Sequence, residues 1–252
     1  MDELKSESES MKLVPKVTLH ELWFNPALRQ PLIISLVVML SQQFSGINAV
    51  IFFSTDIFKK AGLVEKSALY ATLGVGVINL VMTLVSLVLI EKAGRRTLHL
   101  FGLGAMFAMT VVLTICLALK DQAHFLSYVS VIAVYLFVIG FASGPGSIPW
   151  FLVTELFGVG ARAMATSIAV AVNWTANFVV GLGFLPLQVI IFKLSILFLI
   201  TFLLQTILGG YVFVVFSVLL VFFWIFTYKK VPETKGKTIE EISATFRQKS
   251  YQ

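Results

Sequence analysis

Long apolar runs separated by short polar segments dominate the pattern of this chain. A helix needs about 20 mostly apolar residues to cross the roughly 30 Å hydrocarbon layer of a membrane. Six runs are long enough, and they cover approximately residues 32–57, 68–90, 98–119, 126–153, 163–186 and 209–228. The pattern therefore predicts an all-α membrane protein with six spans.

A further apolar segment, residues 189–206, has no obvious place in a six-span scheme. If it crossed the membrane, the last span would invert and six C-terminal basic residues would change sides. Because Lys and Arg collect on the cytoplasmic side of membrane proteins, we expect this segment to lie along the outer interface or to extend a neighbouring helix. A seventh crossing is the alternative.

The distribution of charge predicts the orientation of the spans. With six crossings and a cytoplasmic N-terminus, 14 of the 19 Lys and Arg residues fall on the cytoplasmic side. We therefore expect a cytoplasmic segment at 1–30, a membrane bundle at 31–228 and a cytoplasmic tail at 229–252. Residues 1–30 lack a basic stretch followed by an apolar one, so no signal peptide is expected there.

Composition excludes several other classes of protein. Hydrophobic residues make up 58% of the chain, against about 45–50% in a soluble domain. The net charge of +6 comes from basic residues that flank the apolar runs, which indicates membrane topology and not a nucleic-acid partner. The single cysteine and three scattered histidines predict no metal site, and the absence of enzyme motifs predicts no catalytic residues and no cofactor.

Polar side chains occur where the first span predicts hydrocarbon. Gln42, Gln43 and Asn48 are carboxamides, and Gly46 between them loosens the helix. An unpaired amide in hydrocarbon costs several kcal/mol, so these groups predict a bundle interior or a substrate path. Carboxamides are uncharged and both donate and accept, which suits a neutral ligand rich in hydroxyls. The alternative is that they only hydrogen-bond neighbouring helices.

The fourth span is irregular between residues 140 and 150, where three glycines and two prolines occur. This composition predicts a broken helix of the kind that lines transporter sites, or a kink in which Gly140 and Gly144 pack against another helix. In the fifth span Asn173 and Asn177 are four residues apart and share a face. Asn79, alone in the second span, is more typical of a helix contact than of a ligand contact.

Two short amphipathic helices are predicted at the ends of the bundle. One lies near residues 18–28 and is broken at Pro26, with the first span starting at Arg29 to Pro31. The other carries Ile239, Ile242 and Phe246 at helical spacing and should lie beneath the bundle. Charged residues at the same ends predict either a cytoplasmic ion-pair latch or ordinary flanking charge.

Five motifs in order carry a family resemblance: QQFSGINAV with an aromatic pair, EKAGRR, GPGSIPW, NWTAN and PETKG. Over about residues 17–248 the chain resembles the facilitative glucose transporters, which are sugar porters of the major facilitator superfamily. The resemblance implies the C-terminal six-helix bundle of that twelve-span fold, with 189–206 as an extra segment. It further implies passive uniport of a hexose, expected to be glucose, by alternating access in the plasma membrane.

The resemblance also implies partners and functional residues. The partners would be the hexose, the lipid bilayer and a separate N-terminal half or full-length transporter; the alternative is an inactive half-transporter that modulates full-length carriers. The implied substrate-binding residues are Gln42, Gln43, Asn48, Asn79 and Trp150, with Asn173 and Trp174 shaping the cavity. The implied gating residues are Phe52, Phe53, Gly144, Pro145, Pro149, Glu91, Arg95, Arg96, Glu155 and Arg162. Close relatives carry a glutamate at the position of Ala142.

Overall fold

A computed structural model of the chain describes residues 17–119, 125–184 and 212–250. These residues form ten helices, which are labelled here in chain order. They are α1 (Leu19–Phe24), α2 (Pro26–Phe44), α3 (Ile47–Lys60), α4 (Glu65–Ala93), α5 (Arg95–Ala118), α6 (Phe125–Ser143), α7 (Ile148–Glu155), α8 (Val159–Phe184), α9 (Val212–Lys230) and α10 (Ile239–Ser250).

Six helical stretches within the described residues are long and apolar enough to cross a membrane. They are Pro26–Phe52, Glu65–Ala93, Arg95–Ala118, Phe125–Glu155, Val159–Gly181 and Phe213–Lys230. Their number and order confirm the predicted all-α bundle of six spans. Segment 189–206 lies outside the described residues, so its path stays a prediction.

The first span begins earlier than the sequence predicts. Asn25 caps α2 by accepting a hydrogen bond from the N–H of Ala27 (3.0 Å), and Pro26 occupies the first helical position. Both residue types favour a helix start. Pro31, predicted to open the span, instead lies inside α2, where its missing N–H removes a single backbone hydrogen bond.

Two of the six spans are broken near the middle. The first is interrupted between α2 and α3, where Gly46 has a φ of +92°. A side chain there would be strained and its Cβ would meet the ring of Phe216 at 2.8 Å. The fourth is interrupted between α6 and α7, at residues 144–147. Both breaks lie where glycine and proline weaken the helix in the sequence.

The broken fourth span also packs closely against α5. A Cβ added at Gly102 would lie 2.6 Å from the carbonyl oxygen of Gly140 and 2.9 Å from the Cα of Gly144. Small residues allow helix backbones to approach in membranes, where packing replaces the hydrophobic effect as the driving force. The helix therefore breaks, and its glycines form a helix contact; that the break lines a transport site stays a prediction.

Two of the four hydrophobic clusters among the described residues are large. The first lies inside the bundle and includes Phe58, Met106, Phe137 and Phe216. The second lies at the end of the bundle where α10 packs against α2. In it Ile242 and Phe246 are buried as their spacing predicts, whereas Ile239 is half-buried. This end of the bundle is thereby closed by the C-terminal helix.

Candidate functional site

Five carboxamide side chains form one connected hydrogen-bond network at the break of the first span. They are Gln42, Gln43, Asn48, Asn173 and Asn177. The first three are 7%, 7% and 8% exposed, and Asn173 is 1% exposed. Asn177 is half-buried, so the network reaches from the interior of the bundle toward its surface.

Gln42 connects three separate parts of the bundle. Its Nε2 donates to the carbonyl oxygens of Pro145 (3.0 Å) and Gly146 (2.7 Å), two groups in the break of the fourth span. Its Oε1 accepts from Nδ2 of Asn173 on α8 (2.8 Å). The side chain of Gln42 thus pairs carbonyl groups that the break of the fourth span would leave unpaired, and it links that break to the first and fifth spans.

Gln43 forms the centre of the network. Its Oε1 accepts from Nδ2 of Asn48 (2.8 Å) and from Nδ2 of Asn177 (3.0 Å), and its Nε2 donates to Oδ1 of Asn173 (2.9 Å). Nδ2 of Asn173 also donates to the carbonyl of Met39 (3.1 Å). The carboxamides therefore hydrogen-bond neighbouring helices, which is the alternative that the sequence left open. Their contact with a sugar stays a prediction.

Two acceptors at the edge of this network are free within the described part of the chain. No described group donates to Oδ1 of Asn48 or to Oδ1 of Asn177, although the Nδ2 of each residue is engaged. Asn177 is missing from the predicted substrate contacts. Its four-residue spacing from Asn173 was the signal that pointed to it. The site therefore combines fixed donors with open acceptors and carries no net charge.

The other predicted substrate residues make no side-chain hydrogen bond to the network within the described part of the chain. Trp150 on α7 is 38% exposed and Trp174 on α8 is 60% exposed. Asn79 on α4 is half-buried, and its side chain has no hydrogen bond to any described residue. Phe52 is 62% exposed, while the side chain of Phe53 lies outside the described part.

An open groove of about 440 Å³ lies between α2 and α8, close to the network. Its lining is almost entirely apolar, and it comprises Leu40, Phe44, Ile168, Ala171, Val172, Thr175, Ala176 and Val179. A ligand rich in hydroxyls would lose its hydrogen bonds to water there without replacement. The groove is therefore unsuited to a polar ligand.

His99 is a buried polar side chain beside the network that the sequence did not single out. It is 1% exposed, and its Nε2 lies 3.3 Å from Oγ of Ser41, the residue before Gln42. Its Nδ1 has no partner among the described residues. These residues also contain no group of three His, Cys, Asp or Glu side chains that is arranged to hold a metal ion.

Charged residues connect the helices at the end of the bundle where α10 lies. Arg95 on α5 pairs with Glu155 at 2.8 Å, and the other oxygen of Glu155 accepts from the hydroxyl of Thr234 at 2.5 Å. Glu233 accepts hydrogen bonds from the backbone N–H groups of Arg95 (2.8 Å) and Arg96 (3.1 Å). Glu233 therefore caps α5 with the charge that a helix N-terminus favours.

The remaining predicted gating charges make different contacts. Nη2 of Arg96 donates to the carbonyl of Tyr228 (2.6 Å), and Nε of Arg162 donates to the carbonyl of Phe157 (3.2 Å). Glu91 is exposed and forms no ion pair with a described residue. Of the five predicted charges, the structure joins Arg95 and Glu155 as an ion pair and attaches the other two arginines to backbone carbonyls.

Known proteins resemble this chain in both sequence and structure. It is 48% identical to the facilitated glucose transporter member 1 of solute carrier family 2 from Gallus gallus, over 98% of this chain and 47% of that protein. It is also 48% identical to member 3 from Ovis aries, over 98% of this chain and 46% of that protein. The chain thus spans about half the length of these curated relatives.

A solved structure shows the same helix arrangement. The proton:xylose symporter XylE, bound to 6-bromo-6-deoxy-D-glucose, matches with a TM-score of 0.70 and 30% identity, over 85% of this chain and 42% of that one. XylE is a member of the major facilitator superfamily. The family model described as sugar (and other) transporter matches residues 1–246. The chain therefore belongs to the sugar transporter family and has the fold of the major facilitator superfamily.

Proposed function

We propose that this chain is the C-terminal half of a facilitative hexose carrier, with glucose the expected substrate. The relatives at 48% identity are named facilitated glucose transporters, and the chain spans about half their length. An N-terminal half would complete the carrier, and the hexose would bind between the two halves. Transport would then proceed as uniport by alternating access, in which one half rocks against the other.

The carboxamide network is the observation that carries this proposal. A hexose presents hydroxyl groups that donate and accept, and it has no net charge. Oδ1 of Asn48 and Oδ1 of Asn177 are open acceptors for such hydroxyls, while Oε1 of Gln43 accepts from both asparagines and holds them in place. Asn79 has a side chain without a partner in the described chain and would add a further contact.

Two exposed indoles support the same interpretation. Trp150 and Trp174 keep 38% and 60% of their surface exposed in the isolated bundle. An indole offers a flat apolar face to the C–H surface of a sugar ring and an N–H to a hydroxyl. We propose that Trp150 contacts the sugar and that Trp174 and Asn173 shape the cavity once the second half is in place.

The two broken spans would supply the moving gates. The first break precedes α3, which carries Phe52 and Phe53, and the second precedes α7, where Gly144, Pro145 and Pro149 weaken the helix. Because Gln42 bonds the carbonyls of the second break, movement of that break would be coupled to the substrate site. The charges Glu91, Arg95, Arg96, Glu155 and Arg162 would hold the opposite gate closed.

The orientation of the bundle follows the charge distribution. We propose that residues 1–30 and 229–252 are cytoplasmic, that 31–228 form the membrane bundle, and that the carrier resides in the plasma membrane. The count of 14 basic residues out of 19 on one side supports this orientation. Antibody access to an epitope tag at the C-terminus should require permeabilised cells; labelling of intact cells would contradict it.

Sugar uptake by cells that lack hexose carriers tests the function. We expect no saturable glucose uptake from the chain alone, and saturable uptake when it is joined to the N-terminal half of the Gallus gallus relative. Asn48→Leu should abolish most of that uptake. Failure of the joined protein to transport, together with stable binding to a full-length carrier, would support instead an inactive half-transporter that modulates other carriers.

A further inference from the structure

One corner of the bundle concentrates basic side chains from three short segments, residues 92–96, 229–230 and 235. Lys92 lies in the last turn of α4, Arg96 in the first turn of α5, and Lys229 and Lys230 in the last turn of α9. Lys235, in the loop before α10, donates from Nζ to the carbonyl of Lys92 (2.7 Å). We call these five residues the basic corner.

Hydrogen bonds show that the three segments meet at the basic corner. Arg96 donates to the backbone carbonyl of Tyr228, which directly precedes Lys229. Glu233, two residues before Lys235, caps α5 beside Arg96. The basic corner is therefore a contiguous surface, although its members are up to 143 positions apart in sequence.

The acids near the basic corner leave it with excess positive charge. The oxygens of Glu233 accept from backbone N–H groups at the start of α5, and those of Glu155 accept from Arg95 and Thr234. Glu91 is exposed on the same turn as Lys92. Lys92, Lys229, Lys230 and Lys235 are exposed, and none of them pairs with a described carboxylate.

An aromatic stack adjoins the same cations. The rings of Trp224 and Tyr228 lie 5.5 Å apart and nearly parallel, at 4°. The guanidinium of Arg96 lies 5.4 Å over the ring of Tyr228. Both rings are partly exposed, at 38% and 56%. Trp and Tyr at the end of a span lie at headgroup level, which sets the depth of the basic corner at the membrane interface.

We propose that the basic corner binds the headgroup of an anionic phospholipid in the leaflet on the same side of the bundle as α10. The phosphate and carboxylate of a phosphatidylserine headgroup would lie among the lysines, and the acyl chains would pass the exposed aromatic stack. Each basic residue near an anionic membrane surface strengthens binding roughly fivefold. This site lies apart from the carboxamide network and does not depend on sugar transport.

Native mass spectrometry of the full chain in neutral detergent tests the site. With equal amounts of phosphatidylserine and phosphatidylcholine, the wild type should retain phosphatidylserine preferentially. The double variant Lys229→Gln/Lys230→Gln should lower that preference about 25-fold, while Lys229→Arg/Lys230→Arg should keep it. Both lysines are exposed at a helix end, so helix content measured by circular dichroism should not change.

A matched double variant controls for net charge. Lys59→Gln/Lys66→Gln removes the same charge from the end of α3 and the start of α4. Lys66 is about 40 Å from Lys92 along α4, so this variant should leave the lipid preference intact. Equal retention of the two lipids by the wild type would overturn the proposal. So would an equal loss in both double variants, or displacement of the lipid by soluble glycerophosphoserine at the same concentration.

Discussion

Replacing Asn173 by alanine should destabilise the bundle more than the same replacement at Asn177. Asn173 donates to Gln42 and to the carbonyl of Met39 and accepts from Gln43, so the variant loses three hydrogen bonds between α8 and α2. Hydrogen bonds between membrane helices average about 0.6 kcal/mol each, which gives about 2 kcal/mol in total.

Asn177→Ala is the matched control for this prediction. It removes the same side chain one turn further along α8, and it breaks one hydrogen bond, to Oε1 of Gln43. The expected loss is about 0.6 kcal/mol, roughly one third of the loss at Asn173. The two sites therefore separate the effect of the network from the effect of truncating an asparagine.

Unfolding by increasing mole fraction of sodium dodecyl sulfate in mixed micelles measures both variants. Circular dichroism follows the loss of helix, and the midpoint should shift about three times as far for Asn173→Ala as for Asn177→Ala. Equal shifts would show that Asn173 contributes only as a buried side chain and would refute the network as a source of stability. A double variant with Gln43→Ala should be less than additive, because the residues share a bond.

Three further variants test the contacts around the breaks and the charged end by the same unfolding measurement. Gly102→Ala should lower the free energy of unfolding by about 1–3 kcal/mol, because the new Cβ would meet backbone at 2.6 Å. Gly76→Ala faces open space and should leave that free energy unchanged or raise it slightly. Equal effects of the two variants would contradict the close contact. Glu233→Ala should cost about 1 kcal/mol through the lost cap of α5, and no change would remove that role. Arg95→Gln should lower the free energy of unfolding by about 1–2 kcal/mol, because Glu155 loses its charged partner. If the same loss is measured in 1 M salt, the contact contributes through hydrogen bonding more than through charge.

Local chemistry made the spans and their breaks predictable. Hydrocarbon thickness sets the length of the apolar runs, so the spans can be recognised from the sequence. Glycine and proline mark the breaks at Gly46 and at Gly144 to Ser147, because they weaken a helix locally. The predicted start of the first span is wrong by about one helical turn, because Asn25 and Pro26 begin the helix before Pro31 is reached. Both are local signals, and the structure shows which one prevails.

Contacts between distant residues were less accessible from the sequence. Glu233 meets the start of α5 across 138 positions, and no local pattern marks that contact. Gln42 bonds the carbonyls of Pro145 and Gly146, so its partners are backbone atoms that a sequence does not distinguish. The exposure of Trp174 follows from local geometry, because a residue next to the buried Asn173 is turned by about 100° around the helix.

Equilibrium binding of tritiated glucose tests most directly whether the carboxamide network receives a sugar. The purified protein would be this chain joined to the N-terminal half of the Gallus gallus relative, compared with its Asn48→Leu variant and with the control Thr114→Val, which lies outside the network. We predict saturable binding that Asn48→Leu weakens at least tenfold and Thr114→Val leaves unchanged. Glucose binding of equal strength in all three proteins would contradict a sugar site at this network.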